Sequence, residues 1–101
     1  MTVHREVVII STMLSEQDKK TLTNLARQYK VRRLLLFGSQ VTSTQEARDI
    51  DLAVEGLPAK SFFKFYGDLL FSLKKPVDLI DLSSNTKFNR LIQKEGIPVY
   101  G

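Results

Sequence analysis

The sequence predicts a small α/β (α+β) domain, a mixed sheet of about four strands flanked by helices. Three observations predict it. The 101 residues suffice for one compact unit spanning 1–101, with no repeat, low-complexity tract or linker to divide it. A composition of 43% hydrophobic and 26% charged residues is that of a globular chain, not a disordered one. Segments of helical period alternate with short apolar runs of strand length, in the order α-β-β-α-β-α-β.

Taken in order, residues 7–10 (Val-Val-Ile-Ile) read as a short strand or an irregular lead-in. Ser15-Glu-Gln-Asp18 fits a capping box, and Leu22, Leu25, Ala26 and Tyr29 then follow helical spacing, predicting a helix over 16–29. Residues 31–37 predict a buried strand, its Leu34-Leu35-Leu36-Phe37 run too short for a helix and stopped by Gly38-Ser39. The polar residues 40–48 read as a loop or frayed short helix. Residues 49–54 alternate cleanly, Asp49 and Asp51 against Ile50 and Leu52, as a second strand ended by Gly56. Pro58 opens a helix over 59–74. Five of the nine aromatics lie between Phe62 and Phe71, and the apolar residues cover more than one face. Core packing accounts for most of them; the surplus predicts an interface, with a partner or a second copy. Pro76 precedes a strand over 77–82, Ser83 or Ser84 caps a helix over 85–95, and Gly96 leads into a final strand over 97–100.

Several function classes are excluded. Without cysteine there is no disulfide framework and no thiolate metal site, and the single histidine, His4, excludes imidazole cages and a Ser–His–Asp triad. A metal here is held by carboxylates and is a hard cation. No apolar run approaches the ~18–20 residues of a membrane span, and no signal segment is seen, so a cytoplasmic protein without membrane association is expected. The net charge of +4 is concentrated in residues 1–33, a balance too weak to predict direct nucleic-acid binding.

The residues that carry chemistry are acids at strand starts. An Asp-x-Asp arises by chance about 0.35 times in a chain with this Asp content, so Asp49-Ile50-Asp51 alone means little. Its context adds to it. A buried strand ends in Gly38-Ser39, and a largely polar connection of nine residues leads straight into the strand that opens with the Asp pair. The two-residue period puts both carboxylates on one side with Cα atoms about 6–7 Å apart. Two such charges need a counter-charge such as a divalent cation. In Val77-Asp78-Leu79-Ile80-Asp81-Leu82 the two acids fall on opposite faces, and Asp78, near the strand start, is the one expected to join the pair. Gly38 lets a phosphate approach the backbone and Ser39 adds a donor, although Gly-Ser is also a common turn dipeptide.

Leu-Phe-Gly38-Ser39, nine residues, Asp49-Ile-Asp51-Leu, and later Val-Asp78-Leu resemble the minimal nucleotidyltransferase family, small domains of the DNA polymerase beta-like nucleotidyltransferase superfamily. The closing Gln-Lys-Glu-Gly-Ile-Pro-Val-Tyr100 is also similar, and the resemblance spans about 16–101. It implies the nucleotidyltransferase fold, a triphosphate held at Gly38 and Ser39, and Mg²⁺ ligated by Asp49 and Asp51. It further implies that Asp78 completes the metal site and helps activate an acceptor hydroxyl. Two Mg²⁺ about 3.5–4 Å apart and ATP as substrate follow from it. The implied partner is a HEPN-domain ribonuclease toxin, neutralised as by an antitoxin, in some members by transfer of AMP to a toxin tyrosine. The helix carrying Phe62 and Phe71 is the expected oligomer contact. Two departures stand out: the spacer is nine residues where many members have ten, and Gln40-Val41-Thr42-Ser43 replaces the common Arg-x-Arg-Gly. Arg48 is the nearest basic substitute.

Two readings of different class remain open: an adenylyl- or other nucleotidyltransferase, supported by the three acids, and a non-catalytic antitoxin that occludes its partner, supported by the missing arginines. Transfer to a small molecule is a weaker third, since this chain has no room for an acceptor domain.

Overall fold

The computed structural model describes residues 14–38 and 49–101. The expected strand at 7–10, Ser39 and the polar stretch 40–48 lie outside them.

Helix α1 (Glu16–Tyr29) starts where Ser15 Oγ accepts the Asp18 N–H at 3.0 Å. Only this half of the capping box forms. An Asp is one methylene shorter than the Glu or Gln that reaches back to the cap. Asp18 instead lies buried, 3% exposed, its Oδ1 without a hydrogen-bond partner among the described residues. The helix ends on Lys30 in the left-handed conformation (φ 57°), whose N–H turns back to the Ala26 and Arg27 carbonyls.

Strand β1 (Arg33–Leu36) is shorter than the 31–37 expected, and β2 (Ile50–Glu55) begins one residue later than expected. They pair antiparallel, Leu34 opposite Val54 and Leu36 opposite Leu52. Helix α2 (Ala59–Ser72) carries the chain over the sheet to β3 (Val77–Asp81), parallel to β2. It stops short of residue 74 because Leu73 turns extended and enters the core. Helix α3 (Lys87–Glu95) is capped by Thr86, not Ser83 or Ser84. Thr86 Oγ1 accepts the Asn89 N–H at 3.0 Å, and the serines are used up in a turn where Asp81 Oδ1 accepts the Ser83 N–H at 2.9 Å. Strand β4 (Ile97–Tyr100) then pairs antiparallel with β1, completing a mixed sheet in the order β3-β2-β1-β4.

The alternation of each strand divides the molecule into two layers of unequal depth. On one face Leu34, Leu36, Ile50, Leu52, Val54, Val77 and Leu79 meet α1 through Leu22 and Ala26, and α2 through Phe65 and Leu69. On the other, among the described residues, Leu35, Ala53 and Leu82 meet Ile92 of α3, with Phe37 and Ile80 alongside. Among the described residues the first face is a full core and the second a partial one.

Two phenols fasten the full core. Tyr66 donates to the Val77 carbonyl at 2.8 Å, tying α2 to the start of β3. Tyr29 donates to Asp68 Oδ2 at 2.5 Å, joining α1 to α2, and this hydrogen bond to a carboxylate, with burial, pushes the phenol up to about 12 from 10.0. Of the five aromatics between Phe62 and Phe71, Phe62, Phe65 and Tyr66 pack inward, while Phe63 and Phe71 face out.

Candidate active site

The sequence-predicted residues that the structure describes converge on one end of the sheet. Gly38 leaves β1 at φ +90°, in the left-handed region where a Cβ is strained, so this turn requires glycine. Just before it, the Phe37 N–H donates to the Asp51 carbonyl at 3.1 Å, which sets the turn beside the start of β2. The Ile50 N–H donates to the Pro76 carbonyl at 2.8 Å and locks the starts of β2 and β3 together.

That lock decides where the acids stand. Asp51 and Asp78 are the second residues of their strands and register partners in the parallel pair. Neighbouring strands lie about 4.7–4.9 Å apart, so the two side chains sit next to one another on one face. It is the α3 side of the sheet, since Ala53 and Ile80, two residues further along each strand, belong to the cluster under α3. Asp51 is half-buried and Asp78 exposed. Asp49 is exposed and lies one residue before β2, at the same end. Asp49 and Asp51 each interact with a neighbouring group. Asp81 pairs with Val54 in register and spends its carboxylate on the turn to α3, away from this cluster. Ser39 lies outside the described residues.

Among the described residues no three acid, histidine or cysteine side chains stand close enough together to hold a metal ion. The donor set nonetheless fits a hard divalent cation. Every donor is a carboxylate oxygen, and Mg²⁺ is ordinarily held by one or two carboxylates together with substrate phosphates and water rather than by an all-protein cage. The register pair supplies the two.

A cleft of about 250 Å³ runs alongside, lined by Phe37, Gly38, Phe88, Leu91, Ile92, Glu95 and Gly96. The Phe37 and Phe88 rings meet edge to face, centroids 6.0 Å apart. Sequence reasoning missed this cleft, and it missed Asn89, whose buried amide donates to the Asp81 carbonyl at 3.2 Å and the Ser84 carbonyl at 2.8 Å. Asn89 thereby fixes the end of β3 against α3. The signal for it was an uncharged polar residue beside Phe88, too slight to separate from a solvent-facing side chain.

Among the described residues no helix is long and apolar enough to cross a membrane. The family described as Polymerase beta, Nucleotidyltransferase matches residues 19–101. No curated protein matches the chain significantly. Solved structures do. A chain of a toxin–antitoxin complex with AMP-PNP shares 29% identity at a TM-score of 0.65, over 82% of this chain and 73% of that one. A chain of the MntA–HepT toxin–antitoxin complex shares 26% at 0.61, over 83% and 70%. A chain from a complex of the tri-AMPylated Shewanella oneidensis HEPN toxin with its MNT antitoxin shares 26% at 0.63, over 87% and 73%.

Proposed function

Since the chain belongs to the Polymerase beta nucleotidyltransferase family, we propose that it is an antitoxin that transfers AMP from ATP to a tyrosine hydroxyl of a HEPN-domain toxin. Residues 1–101 act as one minimal nucleotidyltransferase domain in this reading, drawing on the cytoplasmic nucleotide pool. The observation that carries it is the register pairing of Asp51 with Asp78 beside the Gly38 turn. The likeness to complexes in which a HEPN toxin is tri-AMPylated and another holds AMP-PNP supports the choice of nucleotide, reaction and partner.

The reaction is in-line: the acceptor oxygen bonds to the α-phosphorus as the bond to the bridging oxygen breaks and pyrophosphate departs. Gly38, lacking a Cβ, lets the triphosphate approach the backbone amides of its turn, and Ser39 adds a hydroxyl donor. Asp49 and Asp51 would hold Mg²⁺, with Asp78 completing the set; the metal would supply charge neutralisation for the triphosphate and a more acidic acceptor hydroxyl. Asp78, the more exposed of the register pair, stands where an approaching acceptor arrives and takes the hydroxyl proton. Its register partner Asp51 is half-buried, its place held by the pairing of β2 with β3.

A second reading, occlusion without turnover, is favoured by one observation: the sequence after Ser39 is Gln40-Val41-Thr42-Ser43, with no arginine to meet the phosphates. Transfer of label from α-³²P-ATP with Mg²⁺ to the proposed HEPN-domain partner separates the two. Label that the Asp49→Ala/Asp51→Ala variant cannot add is the expected result. A partner that is bound and silenced yet unlabelled with every nucleotide overturns the transferase reading and leaves occlusion.

A further inference from the structure

Helix α2 has two sides, and the mechanism uses neither. Phe65 and Leu69 lie in the core, but Phe63 is 81% exposed, Phe71 93% and Leu70 51%. At 3.6 residues per turn, Phe63, Gly67, Leu70 and Phe71 fall within one outward sector of about 100°. Lys60 lies inside that sector, Lys64 borders it, and Lys74 follows just past the helix end. All three lysines are exposed, and none forms an ion pair among the described residues. The one acid of the helix, Asp68, is turned away to Tyr29.

Gly67 is the second observation. A Cβ there would meet nothing within 4 Å, so none of the described residues accounts for it. Glycine is the least favourable residue but proline in a helix middle. Its effect is a notch between Phe63, one turn before, and Leu70 and Phe71, one turn after, where another backbone can come close. Two nearly bare phenylalanines present about 150–250 Å² each, the size of apolar patch that marks a docking surface on a soluble chain.

We propose that the outer face of α2 docks an amphipathic helix of a partner protein. An apolar ridge of that helix enters the Gly67 notch between Phe63 and Phe71, and flanking carboxylates face Lys60, Lys64 and Lys74. Charge decides between occupants. A second copy would set lysines against lysines in a chain that already carries +4, whereas an acid-flanked helix is complementary. A lipid surface would accept the lysines but gains nothing from the notch. The inference rests on the reading of this chain as an antitoxin with a protein partner, and names the surface that grips it.

The test is a calorimetric titration of the chain against the HEPN-domain partner that the proposed function assigns to it, at about 50 and 500 mM NaCl. Phe63→Ala/Phe71→Ala is expected to weaken binding about 100-fold or more. Lys60→Glu/Lys64→Glu/Lys74→Glu should weaken it about 10-fold or more at low salt, the deficit shrinking at high salt. Gly67→Leu should weaken it about 10-fold while melting at the same or a higher temperature, which separates a filled notch from a damaged fold. Wild-type binding that none of the three variants reduces overturns the inference and leaves the antitoxin reading standing. No binding by the wild type overturns both. Sedimentation of the chain alone as a dimer, or capture by phosphatidylcholine–phosphatidylserine vesicles, in either case lost in Phe63→Ala/Phe71→Ala, also overturns it by giving the face to a copy or to lipid.

Discussion

Replacing Asp78 by Asn separates what that carboxylate does for chemistry from what it does to the fold. Asp51 and Asp78 are register partners on adjacent parallel strands, which puts like charges about 5 Å apart. Coulomb's law gives about 1 kcal/mol of repulsion at that distance in a water-like medium and about 3 at an effective dielectric of 20. Asp78 is exposed, so the lower figure applies, and screening trims it to about 0.5–1 kcal/mol. Asp78→Asn keeps the shape and removes the charge. It should therefore raise the melting temperature in metal-free, low-salt buffer by about 2–8 °C, given the ~4–8 °C per kcal/mol of a domain this size. The gain should shrink at about 0.5 M salt. The same change should cut AMP transfer by about 10²-fold or more, as loss of a proton acceptor does. Asp81→Asn is the control, because its carboxylate oxygen serves the turn to α3 and an amide oxygen accepts the same Ser83 N–H. Differential scanning fluorimetry at two salt concentrations and label transfer from ATP read both effects. An Asp78→Asn protein that melts lower than the wild type, or labels at its rate, refutes the reasoning.

Three further outcomes are expected. Tyr29 has its folded pKa raised to about 12 from 10.0, so its bond to Asp68 stabilises fully below pH 10 and is lost as pH climbs from 10 towards 12. Urea unfolding should show Tyr29→Phe about 1 kcal/mol less stable at pH 8, a discounted figure for a partly exposed group, and the gap closing by pH 11.5; a gap constant with pH contradicts this. Gly96→Ala places a methyl 2.6 Å from the Ile92 carbonyl oxygen and 3.1 Å from Leu35 Cβ, and should cost about 2–4 kcal/mol by displacing α3 from the sheet, read as a lowered denaturation midpoint. Asn89→Ala strips the Asp81 and Ser84 carbonyls of their donor and should cost about 1–3 kcal/mol in the same assay.

The strands were legible because their apolar runs are short and sharply ended, and period two in β2 already placed Asp51 opposite in facing to Ile50 and Leu52. Parity showed that only one of Asp78 and Asp81 could join it and the place near the strand start picked Asp78, although only the Ile50–Pro76 bond and the parallel register bring Asp78 beside Asp51. Pairing between distant strands leaves no trace in a single sequence. Helix ends were less legible, since Ser83, Ser84 and Thr86 are all fit to cap, and the choice depends on Asp81 drawing the chain into a turn first. The two sides of α2 could not be separated from its composition: Phe62, Phe63 and Phe65 are the same residue type, and which one faces the core depends on where the helix lies against α1. Long polar bonds such as Tyr29–Asp68, 39 residues apart, were equally silent.

The sheet is also a partition. Helix α2 lies on its full-core side, and Asp51 and Asp78 open on the other. A protein that grips the outside of α2 is therefore screened from the carboxylates by a helix and a sheet, in a molecule whose least dimension is 21 Å. The hydroxyl it offers has to travel round an edge. At ~3.3–3.6 Å per residue, a tail of at least about six or seven extended residues covers that distance. The acceptor then belongs on a loose segment or a neighbouring subunit, not on the gripped surface, and tail length sets its local concentration at the acids. Holding and modifying become independent, so one bound partner can present several hydroxyls in turn without letting go.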